Sequence, residues 1–580
     1  MAGTCYIQVI LPLKLEWEPY YKVPEGQEVK IGDRVRVIFA NAFYVAAVSA
    51  VDVVPTLDPG RIVSIETLEK DLPSITPEEI SFWRIVADYY LCSVGEVYKA
   101  AYPQMKHTKS RLALPARQEA EGNIQLSEEQ EKAADAICKG FSAGKTVLLK
   151  GDAGRWDIYL KLALETLRKG RSVLFLMPEI AFFDQIVDSV SRLTPSALLY
   201  HSGLTAGKRK LVAEVLRKGE PNLVLGTRSA LFLPHHSLGL IIVDEEHDFS
   251  YKQDAPAPRY HARESAIMLA RIHGAQVLLG SATPSLESIH NAECGRFARV
   301  DLKDGVIKIQ SQLDIIDTGA EYRKKGMAGS FSLKLLEQIR LTLDAGEQVV
   351  LIGPRRTYAG GRKMEEEVQE FCPDARIARL DGTAEDQNET IRAFAKGEFD
   401  ILLGNTMTTR GFESEKLGLV ALVAADSILS RQDFRADERS LQVLEQFRGR
   451  CRRLVVQTRE PGHPVFSALQ KGGDATARML EERRLAGYPP FTRMVKLVAR
   501  DSNEKRLVFL TRELAGELNA LEVPVEGPYP SPIGPMREIR LLLPRDKALT
   551  TRKRAIGQKV TAFEQSRKYP GHIAIDVDPA

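Results

Sequence analysis

An apolar run that ends in a cluster of acidic residues constrains this chain more than any other feature. The run covers residues 238–243, Leu-Gly-Leu-Ile-Ile-Val, and Asp244, Glu245, Glu246 and His247 follow it directly. A short uninterrupted apolar run is typical of a strand buried on both faces of a parallel sheet. An acidic pair at its carboxyl end is where an ATPase holds Mg²⁺ and positions an attacking water. The run therefore predicts an α/β core, with Asp244 and Glu245 as the candidate catalytic pair.

The loop that should hold the nucleotide phosphates is altered. Residues 151–157 read Gly-Asp-Ala-Gly-Arg-Trp-Asp after a predicted strand. Phosphate-loop chemistry needs a lysine for the β and γ phosphates and a Ser or Thr hydroxyl for Mg²⁺, and this segment has neither. A Gly-Lys-Thr tripeptide at 144–146 precedes the strand, which is the wrong side for such a loop, and is predicted to be a turn. Gly151 and Gly154 are the nucleotide-binding candidates that the loop retains.

Composition describes an ordinary folded protein with several domains. The chain has 580 residues, of which 44% are hydrophobic, 27% charged and 7% aromatic, and this balance excludes a chain disordered throughout. A net charge of +3 is weak evidence for a polyanionic partner, so local clusters must carry that inference. One basic run alone is more typical of a solvated surface than of a binding site. The basic clusters fall within 355–363, 448–453 and 552–554.

Cysteine spacing and hydropathy exclude two further classes of protein. The six cysteines lie tens of residues apart, at positions 5, 92, 138, 294, 372 and 451. No Cys-x-x-Cys pair exists, so we expect free thiols and no zinc site. No apolar run reaches the roughly 18 residues that a membrane span requires, and no secretory signal region is present. We therefore expect a cytoplasmic protein without a membrane partner.

The pattern of strands and helices divides the chain into successive units. Short apolar strands with turn signals come first and are closed by a helix in which Phe82, Ile85, Val86 and Tyr89 recur at helical spacing. Helices then alternate with apolar strands in two successive sets, which predicts two doubly wound lobes in tandem. The predicted divisions are 1–105, a β-rich domain; 106–125, a linker; 126–312 and 313–470, the two lobes; and 471–580, a small α+β domain.

Motifs along most of the chain carry a resemblance to a known family. They are Pro24-Glu25-Gly26, Ala87-Asp88-Tyr89-Tyr90, Pro178-Glu179-Ile180, His201-Ser202-Gly203, 226–232, 244–253, 259–263, 280–284, 433–439, Glu482-Arg483-Arg484 and 576–579. By these motifs the chain resembles the PriA family of bacterial replication-restart proteins (primosomal protein N′), which are superfamily 2 DNA helicases. The resemblance implies two RecA-like helicase lobes and an N-terminal domain that binds the 3′ end of a nascent DNA strand.

The resemblance also implies roles for single residues. Gln130 matches the glutamine that reads adenine, and Arg450 and Arg453 match the arginine-finger motif. The positions implied to contact DNA are Tyr21, Thr227, Arg228, Arg410, Arg448 and Arg452.

Departures from the family pattern bear on function. The family phosphate loop has a Gly-Ser-Gly-Lys-Thr core, and here Gly-Arg-Trp at 154–156 stands in a loop two residues shorter. Arg448 and Arg452 replace small residues in the arginine-finger motif and add positive charge that suits DNA phosphates. The family's zinc-binding insertion with eight cysteines is absent after Arg356, and 106–125 is too short for its winged helix. Pro19-Tyr20-Tyr21 stands where the family usually shows Phe-Asp-Tyr.

Three hypotheses follow. The main one is a DNA-binding replication-restart protein that recognises forked or branched DNA and single-stranded DNA. It would recruit primosome and helicase-loading proteins and the single-stranded-DNA-binding protein without unwinding DNA. It would use no zinc, and weak binding of ATP and Mg²⁺ stays open. The rival is an ATP-dependent 3′ to 5′ DNA helicase that tolerates an unusual phosphate loop. The third is a scaffold that binds proteins but no DNA.

Overall fold

Four larger sheets organise the chain: one N-terminal, one in each of two successive lobes, and one C-terminal. The structure is a computed structural model, and it describes residues 5–102, 124–151, 154–178, 190, 197–302, 311–353, 364–380, 384–404, 416–429, 433–448, 450–471, 475–531, 534–566 and 572–579. Most of the predicted linker at 106–125 and Arg410 lie outside the described residues.

The N-terminal sheet is antiparallel and has five strands. In sheet order they are Tyr20–Lys22, Tyr6–Ile10, Ala42–Ala50, Arg34–Phe39 and Thr67–Leu68. The helices Pro77–Tyr90 and Val94–Ala101 follow the sheet. Thr76 and Glu79 form a capping box that starts the first of them, with Pro77 at its first position, and Leu91 ends it in the left-handed conformation. The β-rich domain and its closing helix are therefore confirmed.

The first lobe contains a seven-stranded parallel sheet. In sheet order the strands are Phe297–Asp301, Thr146–Lys150, Gln276–Ser281, Leu238–Val243, Ser172–Leu176, Leu223–Gly226 and Leu198–Tyr200. The described helices of this lobe are Glu128–Ser142, Arg155–Arg168, Ala206–Leu216, Ala262–His273 and Leu286–Glu293. Every residue of Leu238–Val243 is buried, which places the predicted acidic run at the carboxyl edge of a central strand.

The second lobe repeats the design with a six-stranded parallel sheet. In sheet order the strands are Gln312–Asp317, Arg453–Thr458, Leu417–Leu422, Gln348–Ile352, Ile401–Gly404 and Ile377–Arg379. The described helices are Thr318–Arg323, Leu333–Asp344, Met364–Phe371, Ala384–Ala395, Asp426–Leu429, Ala436–Phe447 and Pro464–Lys471. Two doubly wound lobes are thus confirmed.

The C-terminal sheet is antiparallel and has four strands. In sheet order they are Val525–Pro530, Met536–Pro544, Thr492–Arg500 and Ala574–Val577. The helices Thr476–Leu485, Glu504–Asn519 and Leu549–Ser566 accompany them. Among the described residues no helix combines the length and apolar character needed to cross a bilayer. All six cysteines are free thiols.

Edge strands are where the structure differs from the sequence prediction. Phe297–Asp301, Leu198–Tyr200, Gln312–Asp317 and Ile377–Arg379 were not expected as strands, because they are short or alternate with charged residues. The tripeptide at 144–146 is confirmed as a turn: the helix before it ends at Ser142, and Gly144 has a positive φ of 68°.

The helix Pro77–Tyr90 joins the N-terminal domain to the rest of the protein. Its buried residues belong to a continuous apolar core shared with the first lobe and the C-terminal sheet. The Tyr89 hydroxyl donates to Asp578 Oδ2 at 2.9 Å, and the His261 amide donates to the Tyr90 hydroxyl at 3.0 Å. Ile85 does not take part as its spacing predicted, since 41% of it is exposed.

A buried lysine of the first lobe, Lys252, forms an ion pair with Asp576 of the C-terminal strand Ala574–Val577. The Lys252 ammonium lies 2.8 Å from Asp576 Oδ1, and its side chain is fully buried. It also donates to the carbonyls of Arg259 and Val577, at 2.6 and 2.7 Å. A buried charge with this many partners stabilises the junction only while its counter-ion is present.

Replacement of Asp576 by Ala should destabilise the protein strongly. The change leaves the Lys252 ammonium buried without its counter-ion, and we expect a loss of about 3–5 kcal/mol in the free energy of unfolding. Urea unfolding at neutral pH measures it. The control is Asp344→Ala, which breaks the exposed pair of Arg340 and Asp344 and should change the free energy by less than about 1 kcal/mol. Equal losses in the two variants would contradict this view of the junction.

Candidate functional site

The predicted acidic pair lies at the carboxyl edge of the first lobe's sheet. Asp244 continues from the strand Leu238–Val243, and its amide donates to the Leu176 carbonyl of the neighbouring strand at 3.0 Å. Glu245 has a φ of 47°, in the left-handed region that side chains other than glycine adopt at a cost of order 1 kcal/mol. The chain turns sharply there, so the two carboxyl groups lie beside each other at the end of the strand.

Arg155 binds both carboxylates. Its Nη2 lies 3.2 Å from Asp244 Oδ1 and 2.5 Å from Glu245 Oε1, and its Nη1 donates to the Gly151 carbonyl. Arg155 is only 4% exposed. The helix Arg155–Arg168 begins at this residue after Gly154, whose φ of 82° turns the loop into the helix without a side-chain cap. The guanidinium is therefore held from both sides, by its own loop and by the acidic pair.

Charge and burial compete at these three groups. Burial would lower the pKa of the Arg155 guanidinium, but Glu245 and Asp244 outweigh it and raise that pKa well above its ordinary value. Burial raises the pKa of Asp244, against the opposing charge of Arg155. Burial acts in the same direction on Glu245, yet the charges of Arg155, His247 and Arg450 hold its pKa below the ordinary value. The guanidinium of Arg155 thus supplies the largest positive charge at a site that carries two buried carboxyl groups.

Further hydrogen bonds fix the acidic pair. The Tyr159 hydroxyl donates to Asp244 Oδ1 at 2.9 Å. A Cβ atom added to Gly280 would stand 1.5 Å from that hydroxyl oxygen, so only glycine fits there. On the other side, His247 Nδ1 lies 3.5 Å from Glu245 Oε2 and 2.8 Å from Ser281 Oγ.

The residues present do not fit Mg²⁺–ATP as a phosphate-loop enzyme holds it. The guanidinium of Arg155 takes the carboxylate oxygens that would face Mg²⁺ and the attacking water. The residue after Arg155 is not a Ser or Thr that could bind Mg²⁺ but Trp156, whose ring stacks on that of Phe175 with centroids 5.0 Å apart. Among the described residues no group of three or more His, Cys, Asp and Glu side chains is arranged to hold a metal ion.

Gln130, the candidate adenine reader, lies beside the altered loop. Its Nε2 donates to the Gly154 carbonyl at 2.9 Å and to Asp157 Oδ2 at 3.0 Å. Its Oε1 accepts from the Ser127 amide at 2.8 Å, as part of the capping box that starts the helix Glu128–Ser142. Its amide group is thus engaged by the protein itself, and Gly151 and Gly154 serve as backbone acceptors for Arg155 and Gln130.

The two arginine-finger candidates take different places. Arg450 is close enough to Glu245 for its charge to help lower the pKa of that carboxyl, across the boundary between the lobes. Arg453 begins a strand of the second lobe, where its Nη1 pairs with Asp314 Oδ2 at 3.0 Å and its Nη2 donates to Gln312 Oε1 at 3.1 Å. Arg450 thus acts on Glu245 through its charge, whereas Arg453 is paired within its own lobe.

The DNA-contact candidates of the lobes that the structure describes lie in two separate segments. Arg228 follows Thr227 at the carboxyl end of the strand Leu223–Gly226, and its Nη1 donates to the carbonyls of Ser250 and Lys252, at 2.5 and 3.2 Å. In the second lobe, Arg448 pairs with Glu445 at 3.2 Å, and the largely exposed Arg452 pairs with Glu347. These last two arginines border the turn that carries Arg450.

Tyr21 requires a correction. Its side chain is only 2% exposed, and its hydroxyl donates to the Ile38 carbonyl at 3.0 Å. Burial raises its pKa to about 12. A nucleobase cannot stack on a ring enclosed in this way, so Tyr21 supports the N-terminal sheet. Its neighbour Tyr20 instead lines a cavity of about 1160 Å³, together with Trp17 and Glu18.

Several residues without a predicted role meet between the lobes. Glu287 of the first lobe lies 2.5 Å from Arg435 of the second, and the Leu286 amide donates to Glu438 Oε1 at 2.8 Å. Arg483, in the helix Thr476–Leu485, lies 2.5 Å from Glu438 Oε2. Their sequence signal is the recurrence of opposite charges in separate motifs, but the spacing alone does not say which charges pair.

A second buried pair lies behind the acidic edge. Glu246 is fully buried and accepts from Arg263 Nη1 at 2.7 Å, from the Ser285 amide at 2.7 Å and from Ser288 Oγ at 2.8 Å. The third acidic residue of the run therefore anchors the loop before the helix Leu286–Glu293, while the first two face Arg155.

Three family models match successive parts of the chain. The 3′ DNA-binding domain (3′BD) of PriA matches residues 8–103, the DEAD/DEAH box helicase model matches residues 127–292, and the primosomal protein N C-terminal domain matches residues 484–580. The matches follow the N-terminal sheet, the first lobe and the C-terminal sheet.

Curated relatives extend this similarity to nearly the whole chain. Replication restart protein PriA of Rickettsia conorii is 28% identical and aligns with 99% of each chain. The proteins of the same name from Treponema pallidum and Haemophilus influenzae are each 30% identical; the alignments cover 73% and 79% of this chain and 75% and 73% of theirs.

Removal of the guanidinium should make stability depend on pH in a defined direction. Arg155→Met removes the largest of the charges that lower the pKa of Glu245, and the opposing effect of burial then shifts the pKa of both carboxyl groups upwards. Groups with raised pKa values in the folded state destabilise it as the pH rises from about 4 through those values. We expect the variant to lose about 3–5 kcal/mol at pH 7.5 and clearly less at pH 4.5, measured by urea unfolding at both pH values.

Arg155→Lys is the matched control, because it keeps the positive charge. It should lose less stability than Arg155→Met at pH 7.5. An equal loss for Arg155→Met at the two pH values would show that the carboxyl groups do not depend on this cation.

Proposed function

The chain belongs to the PriA family of replication restart proteins, and we propose from this premise that it acts at stalled or branched forks without unwinding DNA by ATP hydrolysis. In this proposal it recognises the fork through its own domains. It then promotes reloading of the replicative helicase by holding other proteins at the junction. Its lobes act as a binding platform.

One observation carries the proposal. Arg155 lies between Asp244 and Glu245, where a motor would hold Mg²⁺ and the water that attacks ATP. Its guanidinium is buried, and both partners would lose their counter-ion if it left. Nucleotide would have to displace this ion pair and would find neither the phosphate-loop lysine nor the Mg²⁺-binding hydroxyl. The arrangement favours a folded lobe that needs no nucleotide.

DNA binding rests on the remaining parts of the chain. Residues 8–103 match the 3′ DNA-binding domain model, and basic residues such as Arg448 and Arg452 lie at the edge of the second lobe. Contacts of guanidinium groups with phosphates release counter-ions, so fork binding should weaken steeply with added salt. Recruitment of primosome proteins, helicase-loading proteins and single-stranded-DNA-binding protein belongs to the proposal through family membership.

The alternative function is an ATP-dependent 3′ to 5′ DNA helicase with an unusual phosphate loop. Arg450 favours it, because its charge reaches Glu245 from the other lobe as an arginine finger would. Gln130 also lies beside Gly154, close to where an adenine would enter. In this alternative, ATP and Mg²⁺ would bind after Arg155 swings away from the acidic pair.

We expect fork binding without DNA-stimulated ATP hydrolysis. The measurement is phosphate release in the presence of Mg²⁺–ATP and a forked DNA substrate, with fork binding and strand separation recorded in the same samples. Because Arg155 neutralises the acidic pair, addition of the fork should leave phosphate release at background.

Glu245→Gln supplies the control for that assay. Phosphate release that depends on the fork and disappears in Glu245→Gln would contradict the proposal that the protein does not hydrolyse ATP, and would favour the helicase. Release that persists in Glu245→Gln comes from a contaminating ATPase. Absence of any fork affinity would instead remove the DNA-binding part of the proposal.

A further inference from the structure

A second cavity, of about 690 Å³, lies where the two lobes and the C-terminal domain meet, and we call it the junction groove. The first lobe contributes parts of the helices Ala262–His273 and Leu286–Glu293 to its wall. The second lobe contributes part of the helix Ala436–Phe447, and Arg493 and Arg545 come from the C-terminal domain. No step proposed above uses this groove.

Positive charge dominates its lining. Eight lysine or arginine side chains and four carboxylate side chains line the groove. Each of the four carboxylates already has an arginine partner: Glu264 with Arg263, Glu287 with Arg435, Glu438 with Arg483, and Asp578 with Arg493. The four carboxylates of the wall are therefore paired with arginines of the protein itself.

Four of the cations that line the groove are not paired with a carboxylate of the described residues. Lys145, Arg271, Arg296 and Arg545 form no ion pair with any carboxylate among the described residues. Two of them make only neutral contacts: Arg296 Nη1 donates to Asn291 Oδ1 at 3.2 Å, and Arg545 Nε donates to the Thr492 carbonyl at 3.3 Å. Lys145 is part of the Gly-Lys-Thr turn that cannot serve as a phosphate loop.

Two of these cations lie side by side on one wall. Lys145 and Arg296 directly precede Thr146 and Phe297, which pair in register on neighbouring strands, so the two cations leave the same edge of the sheet side by side. Arg545 comes from the opposite wall. Burial lowers the pKa of His290, and the charges of Arg296 and Arg545 lower it further.

The shape of the groove indicates what it binds. The helix Ala262–His273 runs along it, because its lining residues extend from Arg263 to Arg271, a span of roughly 12 Å at the rise of an α-helix. Cations distributed over that length suit a chain of phosphates better than one compact anion. A DNA strand carries about one phosphate per 3.4 Å of helix axis, so the groove spans several of them.

The groove is separate from the strand-contacting motif at Thr227 and Arg228. That motif follows the strand Leu223–Gly226, which is sixth in the order of the first lobe's sheet. The strands that begin beside Lys145 and Arg296 are second and first in the same order. Lys145 and Arg296 therefore lie at the amino edge of the sheet, whereas Thr227 lies at its carboxyl edge, four or five strands away. The other end of the groove reaches Phe249, next to Ser250, whose carbonyl accepts from Arg228.

We propose that the junction groove binds the sugar-phosphate backbone of a second arm of a forked DNA, apart from the strand that passes Thr227 and Arg228. The inference rests on the proposed fork-binding function and adds a second site of contact to it. A fork has arms that leave its junction in different directions, and two separate basic surfaces hold them at once. Such contacts position the DNA without reading its sequence.

The test removes the unpaired cations. In the triple variant Arg271→Ala, Arg296→Ala and Arg545→Ala we expect fork affinity to fall about tenfold or more. We also expect the dependence of log K on log salt to lose about 0.7 to 0.9 of slope for each phosphate contact removed. Affinity for a single-stranded oligonucleotide should change much less. The measurement is fluorescence anisotropy with labelled fork and labelled oligonucleotide at several salt concentrations.

A charge-matched triple variant serves as the control. Lys132→Ala, Lys139→Ala and Arg340→Ala also remove three positive charges, and all three side chains are exposed, lie outside the groove and lie outside the segment that matches the 3′ DNA-binding domain. This variant should bind the fork nearly as the unaltered protein does. Thermal unfolding confirms that both variants fold.

The remaining outcomes separate this inference from the proposed function. Equal losses in the two triple variants would reflect the overall field of the protein and would overturn the groove as a site. Unchanged fork binding, with a loss of binding to inorganic phosphate or ATP in the groove variant, would assign the groove to a small phosphate compound and overturn the DNA arm. Fork-dependent ATP hydrolysis leaves the groove inference standing and overturns only the non-motor proposal.

Discussion

A guanidinium buried between two carboxylates supports the carboxyl edge of the first lobe. Asp244 and Glu245 lie at the end of a fully buried strand, where ionised groups without a counter-charge would strongly favour the unfolded chain. In a nucleotide-binding motor, a divalent ion and the phosphate-loop lysine share the work of neutralising that edge. Arg155 supplies the charge here from within the loop. The residue that stands in the altered phosphate loop is thus also the one that supplies the counter-charge for Asp244 and Glu245.

The same principle recurs at the other junctions of the protein. Glu246 with Arg263, Glu287 with Arg435, and Lys252 with Asp576 are ion pairs at or near the places where one unit meets the next. Removal of either partner leaves the other buried and charged, so such pairs favour one relative placement of the units. Glu287 and Arg435 form such a pair across the boundary between the two lobes.

Sequence reasoning found the elements that depend on local pattern and missed those that depend on distant partners. The central strands were predictable because each is a continuous apolar run, and the acidic pair was predictable because it ends one of them. The pairing of Arg155 with Asp244 joins residues 89 positions apart, and that of Arg435 with Glu287 joins residues 148 apart. The shortened phosphate loop indicates that the nucleotide site has changed. The spacing of its residues does not predict that the Arg155 side chain turns towards Asp244 and Glu245.

The N-terminal sheet adds a second reason for the misses. Tyr20 and Tyr21 are adjacent in one short strand, so they face opposite sides, and only the register of the sheet decides which one enters the core. The sequence contains both residues but not the register. Edge strands such as Ile377–Arg379 escape for a related cause, because half of their surface is free of the apolar neighbours that mark a central strand.

The contact between Tyr89 and Asp578 has a consequence for how the protein is made. The two residues are 489 positions apart, so the helix that carries Tyr89 is synthesised long before Asp578. Domains generally fold as they are synthesised, N-terminal first. This helix must therefore wait, with part of its apolar surface open to solvent, until translation has delivered the strand Ala574–Val577. The interval is one in which a nascent chain would benefit from a chaperone.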